Sequence, residues 1–383
     1  MAHNNTVLSQ FLKLVCRHEF EGLAKQHHTG QKLRKMTRWN QFTSLMLAQL
    51  TGRTSLRDIE SNMSAQEAKL YHLGVQKVSR STLSRVNENQ PSTLYEALFT
   101  RLLHRCQARA PRHGFRFKNR LFSMDASTID LCLSVFPWAK FRTTKGAIKL
   151  HAVVDHDGYL PAFVSVTDGK VHEVNMAKQL TLPKESIVVF DRGYTDYRYY
   201  HALNSRSIWF VTRQKKNAVY QVTARRSVRK STGLTSDQTI EMTGTKSGQC
   251  PIPLRRIGYR DLETGKHYVF LTNNFRLSAK TIADIYKARW QIEMFFKWIK
   301  QNLKIMTFLG TSRNAVMTQI WIAMCAYLIL SYLRFSSCMH RSIGQILKVL
   351  QLNIFERREL IPLIQGITGE PPGINKQLQT SFL

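Results

Sequence analysis

This sequence predicts an α/β protein: a mixed sheet with helices on its faces, a β-rich insertion within it, and an all-helical region ahead of it. Apolar residues recur at helical spacing up to about residue 110 and at strand spacing beyond it. Between 120 and 213, three consecutive strand patterns are followed by helix, strand, helix and strand. A basic, Gly- and Thr-rich stretch from 214 to 276 then precedes one long amphipathic helix.

In residues 1–110, Phe11, Leu14, Val15 and Phe20 open the helical pattern, and Trp39, Phe42, Leu45, Met46 and Leu50 continue it to a stop at Gly52. The segment VSRSTLSRVNENQP follows, where Ser79 or Ser81 caps a short helix and Pro91 prevents its continuation. Its Arg80, Arg85, Asn87 and Asn89 are side chains that reach phosphates and base edges, so it is a candidate for the DNA major groove. A solvated polar helix packed by Leu83 and Val86 is the competing reading.

PRHGFRFKNR begins the second region, 111–213. RLFSMDAST (120–128), IKLHAVVDHDG (148–158) and YLPAFVSVTDG (159–169) read as strands, the last two joined by a turn at Asp157-Gly158. A helix over 171–181, the buried strand SIVVFD (186–191), a helix over 195–204 and a strand over 207–213 complete it. That order matches the ribonuclease-H-like plan. Residues 214–276 are expected to form an inserted β-rich subdomain, residues 277–345 the second part of the core, and residues 346–383 a helical tail.

Lys and Arg number 56 against 25 Asp and Glu, a formal charge of +31. The basic residues run along the whole chain, which suits DNA, whose phosphates reward dispersed cations through counterion release. Six cysteines at 16, 106, 132, 250, 325 and 338 include no C-x-x-C pair, so neither a zinc site nor a disulfide framework is expected. The polar start MAHNNTVLSQ argues against a secretory signal. The apolar run at 320–333 is shorter than the ~20 residues a bilayer requires and reads as a core helix, so no membrane is expected.

Two-metal phosphodiester chemistry needs several carboxylates converging on ions about 3.5–4 Å apart. Asp125 lies within an apolar strand pattern and Asp191 closes the run Ile187-Val188-Val189-Phe190, which places both at carboxyl ends of neighbouring strands. Asp155, Asp157 and Asp168 adjoin Gly-containing turns and read as turn residues. A third carboxylate comes from the helix over 278–303. There Tyr286, Arg289, Glu293 and Lys300 share one narrow stripe at about 100° per residue, beside an apolar stripe of Ile285, Ile292, Phe296, Ile299 and Leu303. One carboxylate among cations and a phenol suits a metal ligand flanked by phosphate contacts.

Tyr286-x2-Arg289-x3-Glu293-x6-Lys300 resembles the signature of the insertion-sequence-four family of bacterial DDE transposases, and Asp125 in SMDAST and Asp191 in FDRGYTDY match its acidic residues in order and context. The resemblance implies a ribonuclease-H-like core with Asp125, Asp191 and Glu293 holding two Mg2+ or Mn2+ ions. It also implies cleavage at inverted-repeat ends, joining of 3′-hydroxyls to target DNA, and a homodimer on double-stranded DNA in the cytoplasm at the nucleoid. Tyr286, Arg289 and Lys300 would hold phosphates. Arg192 and Tyr194 are further DNA-contact candidates, His172 is a phosphate or helix-start residue, and Trp209, Trp290 and Trp298 are candidates for holding a flipped base. Ala126 departs from relatives that place Thr directly after the first aspartate. A DNA-binding relative without chemistry and a nuclease that cuts without joining are the two rivals.

Overall fold

The structure, a computed structural model, describes residues 5–34, 36–140, 145–303, 305, 307–337 and 341–367. The chain divides into two units: Ala110–Gln301, and the residues on either side of it in sequence.

The flanking unit is helical. Its first part comprises α1 (Val7–Leu12), α2 (Arg17–Gln26), α3 (Arg38–Thr51), α4 (Leu56–Ala65), α5 (Glu67–Leu70), α6 (Arg80–Asn89) and α7 (Thr93–Gln107). Short hydroxyl side chains set the starts: Thr37, Ser55 and Ser79 each accept a hydrogen bond from the backbone N–H three residues on. Losing such a cap costs about 1 kcal/mol. Gly52 ends α3 at φ 69°, a left-handed position that carries no steric penalty only for glycine.

Ala110–Gln301 is built on one nine-stranded sheet. Its strands are β1 (Leu121–Leu131), β2 (Gly146–Asp155), β3 (Leu160–Asp168), β4 (Ile187–Phe190), β5 (Trp209–Arg213), β6 (Tyr220–Arg226), β7 (Leu234–Met242), β8 (Leu254–Arg260) and β9 (His267–Thr272). They lie in the order β3-β2-β1-β4-β5-β9-β8-β7-β6, with β1, β4 and β5 parallel and every other pairing antiparallel. Between them run α8 (Glu173–Lys178) and α9 (Tyr197–Ser205), and after them α10 (Ala279–Ala288) and α11 (Trp290–Asn302).

The sheet is covered on both faces. Phe122, Met124, Val188 and Phe190 enter one core with Tyr199, Tyr200 and Leu203 of α9. Leu121, Ile187 and Val189 enter the other with Ile282, Ala283 and Ile285 of α10. Burial on both sides is why β4 is apolar at every position.

Several expectations change. The β-rich insertion at 214–276 continues the core sheet: β9 pairs with β5 and carries β8, β7 and β6 with it, where β5 would otherwise be an unpaired edge. β1 runs on to Leu131 because β2 keeps pairing with it after β4 stops, so Asp125 sits in mid-strand rather than at a strand end. The helix expected over 278–303 tightens at Arg289, whose N–H bonds to Tyr286 O and whose own carbonyl accepts from Ile292, both three-residue steps.

The expected core segment 277–345 also divides, because the chain from Asn302 onward belongs with the helical unit. There α12 (Arg313–Ser336), α13 (Ile343–Asn353) and α14 (Leu360–Gln365) complete it. By length and composition α12 alone among the described helices could cross a membrane, yet 89% of its apolar window is buried by protein. α3, α6 and α7 pack on it, the usual setting for a helix apolar all round. At its start the Asn314 amide accepts from Ser92 N–H and donates to the carbonyls of Asn87 and Gln90, fixing the α6–α7 corner. The part of the expected tail at 368–383, and Cys338, lie outside the described residues.

Candidate active site

Parallel pairing sets Phe190 of β4 opposite Met124 of β1. The next residues, Asp191 and Asp125, therefore come side by side where β4 stops. Because side chains alternate between faces and Met124 and Phe190 point into the α9 core, both aspartates take the face on which α10 packs. Asp191 opens a short turn: its Oδ1 accepts the Gly193 N–H at 2.8 Å, and its carbonyl accepts the Thr212 hydroxyl at 3.2 Å.

The helical side of the site arrives through Arg289, at the tightened turn between α10 and α11. Its Nη1 stands 3.4 Å from Asp125 Oδ2 and its Nη2 donates to Glu293 Oε1 at 2.5 Å. The guanidinium lies 5.5 Å from the Tyr286 ring centroid, and Tyr286 in turn packs on Phe270 at 4.8 Å. Lys300 Nζ donates to the Thr128 carbonyl at 2.8 Å, tying the end of α11 to β1. A groove of about 400 Å³ runs between them, lined by Asp125, Ala126, Ser127, Glu293, Lys297 and Lys300.

Burial raises the Asp125 carboxyl to about 6; the Ala126 N–H and Arg289 pull it down, while the charges of Asp191 and Glu173 push it up. The shift is thus chiefly one of desolvation, with Arg289 outweighing either neighbouring carboxylate. Burial likewise raises the Tyr286 phenol, against the pull of Arg289 and Arg213, so it keeps its proton. Lys300 is lowered by burial, with Asp130 opposing.

An all-carboxylate donor set of oxygen ligands fits a hard divalent cation. Among the described residues no three Asp, Glu, His or Cys side chains stand within reach of one ion. Arg289 holds two of the carboxylates instead, and its withdrawal is what an ion would require.

The structure brings together Asp125, Asp191, Tyr286, Arg289, Glu293 and Lys300 in one unit. Arg192 is exposed on the turn after Asp191, whereas Tyr194 is buried in the α9 core. Trp290, 58% exposed, is the open one of the three tryptophans; Trp209 and Trp298 are partly covered. His172 is exposed just before α8 and makes no side-chain cap. Arg80 and Arg85 are exposed on α6 in the helical unit, but Asn87 is buried and accepts from Gln41 at 2.8 Å, which removes it from the expected DNA-facing set.

Sequence reasoning missed Glu173, whose Oε2 borders Gly193 as Asp191 Oδ1 does, and Lys149, which contacts it at 3.4 Å. The signal lay in VHE at 171–173, where the acid follows the histidine that drew attention.

Comparison with known proteins gives the context. The family described as "Transposase DDE domain" matches residues 116–329, and a domain of unknown function (DUF4372) matches residues 3–76. A protein of Sinorhizobium fredii named as transposase y4zB is 31% identical over 300 residues, 76% of this chain and 81% of that one. One from Geobacillus stearothermophilus, named as a transposase for insertion sequence element IS5377, is 30% identical over 68% of each chain. A Synechocystis protein named for element IS4SA is 24% identical over 49% of this chain and 53% of its own. Among solved structures, a piggyBac transposase synaptic complex with hairpin DNA aligns over 99% of this chain and 86% of that one, at 10% identity and a TM-score of 0.44, too slight a likeness to bear on fold or function. The DDE match spans more than half of the chain and encloses all three acidic residues, Asp125, Asp191 and Glu293, so the chain belongs to the DDE transposases of bacterial insertion sequences.

Proposed function

We propose that this transposase binds the inverted-repeat ends of its element, cuts the DNA there and joins the freed 3′-hydroxyls to target DNA. The observation that carries the reading is the meeting of Asp125 with Glu293 through their shared partner Arg289, with Asp191 beside Asp125 at the end of the paired parallel strand. The strand order of the first five strands, with two antiparallel neighbours and two parallel ones, supports a ribonuclease-H-like core. The Tyr-Arg-Glu-Lys spacing supports the insertion-sequence-four family.

Asp125, Asp191 and Glu293 are the ligands in this reading. Mg2+ or Mn2+, two ions per site, would lower the pKa of the attacking water and steady the leaving oxygen. Arg289 would exchange its carboxylate partners for a DNA phosphate, to which its fork geometry is equally suited. Tyr286, protonated by virtue of its burial, donates a hydrogen bond rather than acting as a nucleophile. Lys300 and Arg192 would hold flanking phosphates, and exposed Arg80 and Arg85 would let α6 engage the element end. A homodimer holding two ends, working at the nucleoid in the cytoplasm, completes the proposal. The formal charge of +31 supports the DNA partner.

The test incubates the whole protein with Mg2+, labelled element ends and a target plasmid. Joined products are expected; binding alone or cutting alone would replace the proposal with a silent relative or a simple nuclease. Asp125→Ala should reduce cutting by at least about a thousandfold while end binding persists. Persistent cutting would overturn the assignment. Tyr286→Phe should keep partial end nicking, and full loss of the first nick with metal binding intact would contradict the donor role.

A further inference from the structure

We propose that residues 111–120, with the cations beside them at the amino-terminal end of the parallel strands, form a second DNA surface that grips the phosphates of the target duplex without reading its sequence. The target role rests on the transposition reading above; the surface itself does not.

The segment PRHGFRFKNR carries four cations and no carboxylate. Exposure alternates along it: Arg112, Arg116, Lys118 and Arg120 face solvent, and His113, Phe115, Phe117 and Asn119 are half-buried between them. The half-buried set holds the segment down. Phe115 and Phe117 stack at 5.2 Å, the His113 ring lies 4.9 Å from Phe117, and both phenylalanines pack on the core beneath α10. The His113 N–H donates to Asp157 Oδ1 at 2.8 Å. Its ring Nε2 donates to the Asn119 carbonyl at 2.9 Å and its Nδ1 accepts the Phe115 N–H at 3.3 Å, so one neutral tautomer satisfies the whole ring. Asn119 in turn donates to the Glu185 carbonyl at 2.7 Å.

One of the four cations serves the fold: Arg120 pairs with Asp155 and lies over the Phe122 ring. Arg112, Arg116 and Lys118 have no ion pair among the described residues. Cations gathered without carboxylates repel one another, and a polyanion relieves that repulsion. A merely solvated basic stretch needs no anchoring, whereas cations fixed in advance bind phosphates at less cost in chain entropy.

The strand register extends the surface. Leu121, Ile187 and Trp209 form one row across β1, β4 and β5. Lys184 lies exposed just ahead of β4, and exposed Arg276 stands 5.4 Å over the Trp209 ring. The row is four residues, about 13 Å, from Asp125 and Asp191 along the chain direction of β1 and β4, so its cations do not reach the reacting phosphate. The side-chain amide of the segment, on Asn119, is spent on the Glu185 carbonyl, which leaves cations as the exposed groups. Phosphate contacts position a duplex and leave its sequence open. Element ends are chosen by sequence, so the duplex that fits here is the target.

The test compares wild type with Arg116→Ala/Lys118→Ala in the full chain, with melting temperature as the folding control. On a random-sequence duplex, the slope of log affinity against log salt should fall by about 1.8, the share of two phosphate contacts. With precut element ends, Mg2+ and limiting target plasmid, joined products should fall about tenfold at low salt, and cutting of uncut ends should fall much less. Arg116→Lys/Lys118→Arg, which keeps both charges, should join as wild type does. If the alanine protein melts early, Lys118→Gln alone decides, with a slope lowered by about 0.9. An unchanged slope overturns the surface, whatever happens to joining. A lowered slope with joining intact, or with cutting lost equally, overturns the target role and in the second case assigns the surface to DNA flanking the uncut end. A wild type that joins nothing, beside a variant with the lowered slope, rejects the transposition reading and keeps the surface.

Discussion

One sheet carries two chemistries. In β1 to β5 the strands are buried, two of their joins are parallel, and charge is scarce: Ile187, Val188, Val189 and Phe190 are all fully buried before Asp191 breaks the run. In β6 to β9 every join is antiparallel and cations stand over aromatic rings, Arg226 on Phe275 and Arg256 on Tyr220, each within about 5.3 Å. A carboxylate at the end of a doubly buried strand is held by backbone and core packing, so its position is exact enough to bind an ion. Cations on a half-exposed antiparallel surface are many and adjustable, as contacts to a continuous phosphate backbone require. Under the proposed function, the first half would support the chemistry and the second the grip.

β5 pairs with β9 to join the halves, and Arg255 ties the second half to the approach to α10; breaking that tie has the largest expected effect. Buried Arg255 donates to both oxygens of Asp237, at 2.9 and 2.6 Å, and to the carbonyls of Asn274 and Leu277 just ahead of α10. Removing one member of a buried pair typically costs about 3–5 kcal/mol. Arg255→Met should therefore destabilise the protein by that order in urea unfolding, and should lower cutting because α10 carries Tyr286 towards the site. Asp237→Leu added to it should recover most of the loss. A change below about 1 kcal/mol would mean that this buried pair does not hold the approach to α10.

How much of this was legible beforehand follows the range of the interactions. Asp191 and Glu293 could be read because a buried apolar run and a helical stripe are local patterns. The continuity of the sheet could not, since β5 meets β9 across about sixty residues, Val211 opposite Thr272, and nothing in local periodicity announces that pairing. The same limit misplaced α12: apolarity all round says that a helix is buried, not which helices bury it. Glu173 escaped because α8 has only six residues, too few for a stripe. Asp125 was found, but its mid-strand position depends on β2 outlasting β4 beside it.

The first half is strained electrostatically, and pH exposes this. Asp125 is raised from an ordinary 3.8 to about 6, burial being the main cause, so the folded protein holds its proton more tightly than the unfolded chain does. That stabilisation is complete below about pH 4 and lost as pH rises through 6. Between pH 4 and pH 8 the metal-free wild type should lose about 3 kcal/mol relative to Asp125→Asn, as two pKa steps imply. Melting both proteins in chelator from pH 4 to 8 checks this. A gap that does not widen with pH would show that burial does not hold the proton on Asp125.

The second half offers the smallest and most local test, in two adjacent residues on opposite faces of β6. Arg226 is engaged, 3.4 Å from Asp237 and over the Phe275 ring, whereas Arg225 is exposed opposite Gln238. If the exposed face meets DNA, Arg225→Ala should weaken binding about equally for all sequences and reduce the slope of log affinity against log salt by about 1. Arg226→Ala should instead act mainly through stability, because it exposes Asp237 to a partial loss of charge pairing. The reverse outcome, a salt slope that responds to Arg226 and not to Arg225, would place DNA on the aromatic side of the strand. The cation-over-ring pairs would then be the contacts themselves.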